Sequence, residues 1–208
     1  MVSIRTVIAV VLILGRVTKA QADTNADAFI AHQVATQTFD ADLRQTFHWT
    51  FPPRHVESVG HISYRAPDQL AIVFTNPAPE LVLVRGDDLF IKRDKKRLAK
   101  YKLEVRNGKP TQSVQFLLSF FQNGSTNFAE LFDVNIIDNK DARTVTLVPK
   151  HSMQMFPLRS VDNVIDWPSM NIRSMRIGLI MGSYIVYEFS HPQRNAPIDN
   201  KVFEVPKQ

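Results

Sequence analysis

Cysteine is absent from the 208 residues. Its absence excludes a disulfide framework, a thiolate nucleophile, a cysteine-ligated zinc and a lipid-modified N-terminal cysteine. Glycine is scarce, seven residues against twelve prolines with no run of either, so a phosphate-cradling loop, a flexible linker and a collagen-like repeat are excluded too. Charge of one sign is not in real excess. The formal +5 includes Arg5, Arg16 and Lys19, which share the first 22 residues with no acid; beyond them, 22 basic residues face 20 acidic ones. That balance carries no nucleic-acid footprint. The apolar run at 7–14 is too short to cross a bilayer comfortably.

That run has another meaning. A positive start, the apolar stretch and the small-x-small triplet Ala20-Gln21-Ala22 form the three parts of a secretory signal. The expected organisation is therefore a signal peptide over 1–22, cleaved before Asp23, and a single domain over 23–208. Export places the protein in the periplasm, with an uncleaved N-terminal anchor as the alternative because Arg16 and Lys19 lie so near the cut. The composition, 44% apolar and 22% charged, is that of a globular chain. A domain of roughly 185 residues buries about 70% of its unfolded surface and needs no cross-link.

Asn25 followed by Ala28, Phe29, Ile30, Gln33 and Val34 predicts a helix over 24–38. The period then changes. Leu43, Phe47, Trp49 and Phe51 share one parity, while Asp42, Arg44, Thr46, His48 and Thr50 share the other, as in a half-buried strand ended by Pro52-Pro53. Strands are expected at 58–64, 69–74, 80–85, 89–93 and 98–104, separated by turn signals such as Asn76-Pro77 and Gly86-Asp87-Asp88. Such short connections require antiparallel pairing. Val114, Leu117, Leu118 and Phe121 predict a second helix over 111–122, stopped at Gly124. A second meander follows at 132–137, 144–148, 161–166, 172–178 and 184–190, with a last short strand at 202–205. The fold class is α+β: an incomplete, half-open antiparallel β-barrel of about eleven strands covered by a lid of two or three α-helices.

Specific segments add to this pattern. Phe39-Asp40-Ala41-Asp42-Leu43-Arg44-Gln45 resembles the F-x-A-x-F-x-Q opening of the outer-membrane lipoprotein carrier (LolA) family, with Leu43 in place of the second Phe. Gly60 through Pro67 is similar to its G-x-L-x-x-x-R-P segment, with Ala66 as one extra residue. Asn76-Pro77 and the segment 84–89 match the next turn and the D-G-x-x-L hairpin, where Arg85 replaces the usual Asp. Residues 145–150 resemble the L-x-P-K strand end, and 195–198 with 203–206 resemble the closing N-x-x-I and F-x-F-x-P. These segments lie in family order across the whole chain after the signal.

The resemblance implies a soluble periplasmic carrier of lipoprotein acyl chains. Its implied partners are acylated lipoproteins or other lipids, an inner-membrane lipoprotein-releasing ABC transporter and an outer-membrane receptor lipoprotein. The receptor branch carries a cysteine at the cleavage site, so the absence of cysteine favours the carrier branch. A binding or sensor module for another lipid, or for a hydrophobic pathway intermediate, is the alternative on the same fold.

Candidate site residues follow from parity and from the resemblance. Leu43, Phe47, Trp49, Leu70, Ile72 and Phe74 are either ordinary core or the lining of an acyl cavity. Leu117 and Phe120 lie in a helix apolar nearly all round, as a buried helix or a lid would be. Arg65, beside Pro67, is by its chemistry a turn arginine; the resemblance implies a latch that hydrogen-bonds the lid. No catalytic motif is present, and an enzyme is not expected. His48, His61, His151 and His191 lack ligand spacing, although His48 and His61 are placed to face one another on adjacent strands; neither metal nor cofactor is expected. The run Lys92-Arg93-Asp94-Lys95-Lys96-Arg97 reads as a solvated hairpin tip or a docking point for acidic groups or anionic headgroups. The expected state is a monomer.

Overall fold

The computed structural model describes residues 28, 29, 31–33, 35–94, 96–102, 105, 106, 109, 110, 132–138, 142–150, 158–167 and 169–206. Period-two sequences dominate them. β1 (Thr38–Trp49), β2 (Arg54–Arg65), β3 (Gln69–Asn76), β4 (Glu80–Arg85), β5 (Asp88–Arg93) and β6 (Ala99–Lys102) form the first meander. β7 (Val105–Arg106) and β8 (Lys109–Pro110) make a separate two-stranded pair. β9 (Phe132–Asp138), β10 (Arg143–Pro149), β11 (Leu158–Ile165), β12 (Ile172–Leu179) and β13 (Tyr184–Arg194) form the second meander.

The two meanders join through β1 and β13, antiparallel with Leu43 opposite Phe189 and Phe47 opposite Ile185. The result is an eleven-stranded sheet in the order β6-β5-β4-β3-β2-β1-β13-β12-β11-β10-β9. β6 and β9 are its two edges, so the sheet is open. It is the half-barrel expected from the strand pattern.

Alternation assigns the faces. Phe39, Ala41 and Leu43 of β1, Ile62 and Tyr64 of β2, Leu70 and Ile72 of β3, and Val84 of β4 point to one side and enter a single buried cluster. Across β13, Phe189, Tyr187 and Ile185 join it, as do Met175 and Ile177 of β12 and Val145 and Leu147 of β10. Gly60 shapes this face. A Cβ there would lie 2.2 Å from the Val73 carbonyl oxygen, and the β2–β3 register shifts between Val59 and Gly60. The close backbone approach requires glycine, and the bulge adds local twist.

The helical elements differ from the sequence expectation. A short helical segment lies within 28–33 and sends the buried Phe29 into the cluster of the sheet. It does not run to residue 38: the Thr36 amide donates to the Gln33 carbonyl as the helix ends, and β1 already starts at Thr38. The helix expected at 111–122, with Leu117 and Phe120, lies outside the described residues. Among the described residues no helix is long and apolar enough to cross a membrane.

The expected last strand at 202–205 is instead a 3₁₀ turn at Asn200–Phe203 followed by extended chain. Asp199 caps the turn by accepting from the Lys201 amide, a local closure that competes with a ladder. The apolar residues that suggested a strand have another partner. Phe203 joins Ala71, Leu83 and Phe90 in a second cluster on the opposite face of the sheet, with Ile198, Val202 and Val205 packed against it.

Candidate functional site

The end of the first meander where β1 turns into β2 carries a cavity of about 540 Å³. Strand parity supplies its walls. Phe47 and Val56 face one another across β1 and β2. Ile72 lies opposite Val82, and Val82 opposite Ile91. Phe74, Leu89, Ile185 and Tyr187 complete the apolar surface. A cavity of this size and lining is suited to a hydrophobic ligand with few polar contacts.

The polar groups are few and placed in two pairs. Gln45 lies opposite Ser58 on the β1–β2 ladder. Glu80 lies opposite Arg93 on β4–β5, and the Arg93 Nε donates to Glu80 Oε1 at 3.0 Å. Burial holds the Tyr187 phenol protonated well above its ordinary range, so it faces the cavity as a neutral group.

Of the candidates read from the sequence, Phe47, Ile72 and Phe74 line this cavity. Leu43 and Leu70 share their face but are sealed in the core, at 1% and 0% exposed. Trp49 lies just outside the lining, its ring centroid 3.8 Å from that of Phe47, with the Arg54 guanidinium carbon 4.3 Å from its own ring. Leu117 and Phe120 lie outside the described residues.

Sequence reasoning missed Val56, Val82, Leu89, Ile91, Ile185 and Tyr187. The parity of β4 and β5 carried the signal for Val82, Leu89 and Ile91. Ile185 and Tyr187 depend on the β1–β13 pairing, which no local pattern announces.

Arg65 sits on the other face. Its Nη2 donates to the Ile198 carbonyl at 2.5 Å and its Nη1 to Asn200 Oδ1 at 2.7 Å, while its guanidinium carbon stands 4.7 Å from the centroid of the Phe203 ring. Among the described residues its partners therefore belong to the C-terminal segment. Asn195 anchors the start of that segment: its Oδ1 accepts from the Gln37 amide at 2.7 Å.

His48, His55, His61 and His191 also occupy the face away from the cavity, and His151 lies outside the described residues. His48 does not face His61. It lies opposite His55, with rings 6.0 Å apart, because the β1–β2 register sets His61 opposite Asp42. His61 bridges two carboxylates, Nε2 to Asp40 Oδ2 at 2.9 Å and Nδ1 to Asp42 Oδ1 at 3.1 Å. His191 reaches Asp42 Oδ2 at 3.0 Å. The hydrogen bonds from His191 and His61 hold the Asp42 carboxyl below its ordinary range. Ser63 donates to Asp40 Oδ1 rather than to an imidazole, so it lacks the base contact that activates a nucleophilic serine. Among the described residues no cluster of three or more metal-binding side chains occurs.

The family model described as outer membrane lipoprotein carrier protein LolA matches residues 34–206. Among solved structures the chain is similar to MucB, at 10% identity over 88% of this chain and 63% of that one, with a TM-score of 0.54. It is also similar to an uncharacterized conserved protein from Thermus thermophilus, at 8% identity over 88% and 95% of the two chains, with a TM-score of 0.52. A LolA superfamily protein from Nitrosomonas europaea matches at 10% identity over 86% and 97%, with a TM-score of 0.45. No curated protein matches the sequence. At such identities the likeness to MucB and to the Thermus protein is one of fold.

Proposed function

We propose that this chain, which belongs to the outer membrane lipoprotein carrier protein LolA family, binds the acyl chains of lipoproteins in its concave cavity and carries them across the periplasm. The observation that supports this reading is the apolar cavity bounded by Phe47, Val56, Ile72, Phe74, Ile91 and Ile185. It lies on the concave face of the sheet, and the C-terminal segment packs on the opposite face over Ala71, Leu83 and Phe90. Burial of an acyl chain contributes roughly 0.8 kcal/mol per methylene, so a chain of about fourteen carbons supplies on the order of 10 kcal/mol before the costs of association. Binding of that kind needs no chemistry from the protein. The reading assigns it none.

In this account residues 1–22 are a cleaved signal, residues 23–208 form one binding domain, and the mature protein is a periplasmic monomer. An inner-membrane ABC transporter loads it, and an outer-membrane receptor lipoprotein unloads it.

Mass spectrometry of the material that co-purifies with the periplasmic protein tests the function. A triacylated lipoprotein supports the carrier. A free lipid supports a pathway-specific binding module, and protein recovered without any acylated molecule argues against both. N-terminal sequencing of the same sample should begin at Asp23; an intact Met1 in the membrane fraction would contradict the soluble shuttle.

A further inference from the structure

The cavity has a polar end, and its charges are unevenly placed. In an antiparallel meander the end of β1, the start of β2, the end of β3, the start of β4 and the end of β5 lie along one margin of the sheet. Trp49 is opposite Arg54, and Glu80 is opposite Arg93, on that margin. Arg54 and Arg93 both have the parity of the concave face. Arg54 stands two residues from the cavity-lining Val56, and Arg93 lines the cavity itself, two residues from Ile91.

The Arg93 side chain is 61% exposed and Arg54 is exposed, so both guanidinium groups stand in water at the mouth of the cavity rather than in its interior. Glu80 satisfies only the Nε of Arg93, which leaves both Nη groups of that side chain without a partner among the described residues. Arg54 lies over the Trp49 ring, an arrangement that uses the face of the guanidinium and leaves its edge of N–H donors open. The loop between β5 and β6 adds Lys96 and Arg97, both exposed, at the same margin. Against these four cations stand Glu80, engaged with Arg93, and the exposed Asp94. The mouth of an apolar cavity is thus bordered by a net positive rim with open donors.

We infer that the cavity takes an acyl-bearing amphiphile whose polar end is anionic, with the head held by Arg93 and Arg54 and the chain lying along Phe47, Phe74, Val82 and Ile91. This rests on the reading of the cavity as an acyl site and adds the charge of the head. A phosphate and a carboxylate both match the fork geometry of arginine.

The test uses the mature protein and the neutral fluorophore 1-N-phenylnaphthylamine, displaced by dodecyl phosphate, dodecanoate or dodecyltrimethylammonium, each kept monomeric. The expected result is displacement by the anions at about tenfold or more lower concentration than by the cation, as one charge-assisted hydrogen bond supplies. A lower concentration for dodecyl phosphate than for dodecanoate assigns the head to phosphate, and the reverse order assigns it to carboxylate. In the double variant Arg54→Gln/Arg93→Gln the ratio of the displacing concentrations of cation and anion should fall to about one, read as a ratio within the variant so that any change in its affinity for the fluorophore cancels. Equal displacement by anions and cation, or a preference that survives in the double variant, overturns the inference and leaves the acyl site standing. A wild-type protein that binds no fluorophore overturns the acyl site and the inference together.

Discussion

Arg65 and Phe203 meet with the guanidinium carbon 4.7 Å from the ring centroid, and the two hydrogen bonds of Arg65 to Ile198 and Asn200 close the same joint. The joint fastens the C-terminal segment over Ala71, Leu83 and Phe90, on the face of the sheet away from the cavity. Arg65→Leu is expected to destabilise the fold by about 1–3 kcal/mol, the range for hydrogen bonds to a charged group. Fluorophore binding in the cavity should be unchanged. Denaturant unfolding and a binding titration on the same variant check both. Unaltered stability with altered loading or transfer of cargo would instead assign Arg65 to the lid.

Gly60 tolerates no side chain. A methyl group placed 2.2 Å from the Val73 carbonyl oxygen requires the β2–β3 backbone to move, at the bulge that twists the sheet. Gly60→Ala should cost about 1–3 kcal/mol, in the range of an overpacked core, and lower the melting temperature. A variant as stable as the wild type would mean that the strands separate freely at this point.

Asp42 makes stability depend on acid. Its carboxyl is held below its ordinary range chiefly by the hydrogen bond from His191, then by that from His61. A depressed carboxyl stabilises the fold above its unfolded pKa, near 4, and that contribution is lost as pH falls through the lower folded value. Unfolding midpoints measured from pH 5 down to pH 2 should fall more steeply for the wild type than for Asp42→Asn. Superimposable profiles would contradict the linkage.

The alternation of Leu43, Phe47 and Trp49 was enough to place β1 and its concave parity, because a half-buried strand writes its two faces directly into the sequence. The same rule located Ile72 and Phe74 on the cavity. It does not distinguish a residue sealed in the core from one on a cavity wall, and so Leu43 and Leu70 read the same as Phe47. The pairing of β1 with β13 was not legible. Its partners, such as Phe47 and Ile185, are joined only by the closure of two meanders. The C-terminal segment misled for a different reason: Val202, Phe203 and Val205 have the apolar spacing of a strand because they cover the convex face, while Asp199 turns the backbone into a 3₁₀ turn. The contacts of Arg65 with Ile198, Asn200 and Phe203 were hidden for the same reason, since these partners lie in or beside the segment read as a strand.

The central claim is that the concave cavity holds acyl chains, and Ile72 is the wall residue that tests it most directly. Its side chain is 4% exposed, lines the cavity and faces Ile62 and Val82 across the ladders. A carboxylate at this position is costly to bury unpaired and disfavours an apolar ligand beside it. Ile72→Glu, verified as folded by circular dichroism, is to be titrated with 1-N-phenylnaphthylamine beside the wild type. The expected result is strong binding by the wild type and a loss of at least about tenfold in the variant, the factor that 1.4 kcal/mol produces. Undiminished binding by the folded variant would contradict the claim and move the ligand elsewhere on the molecule.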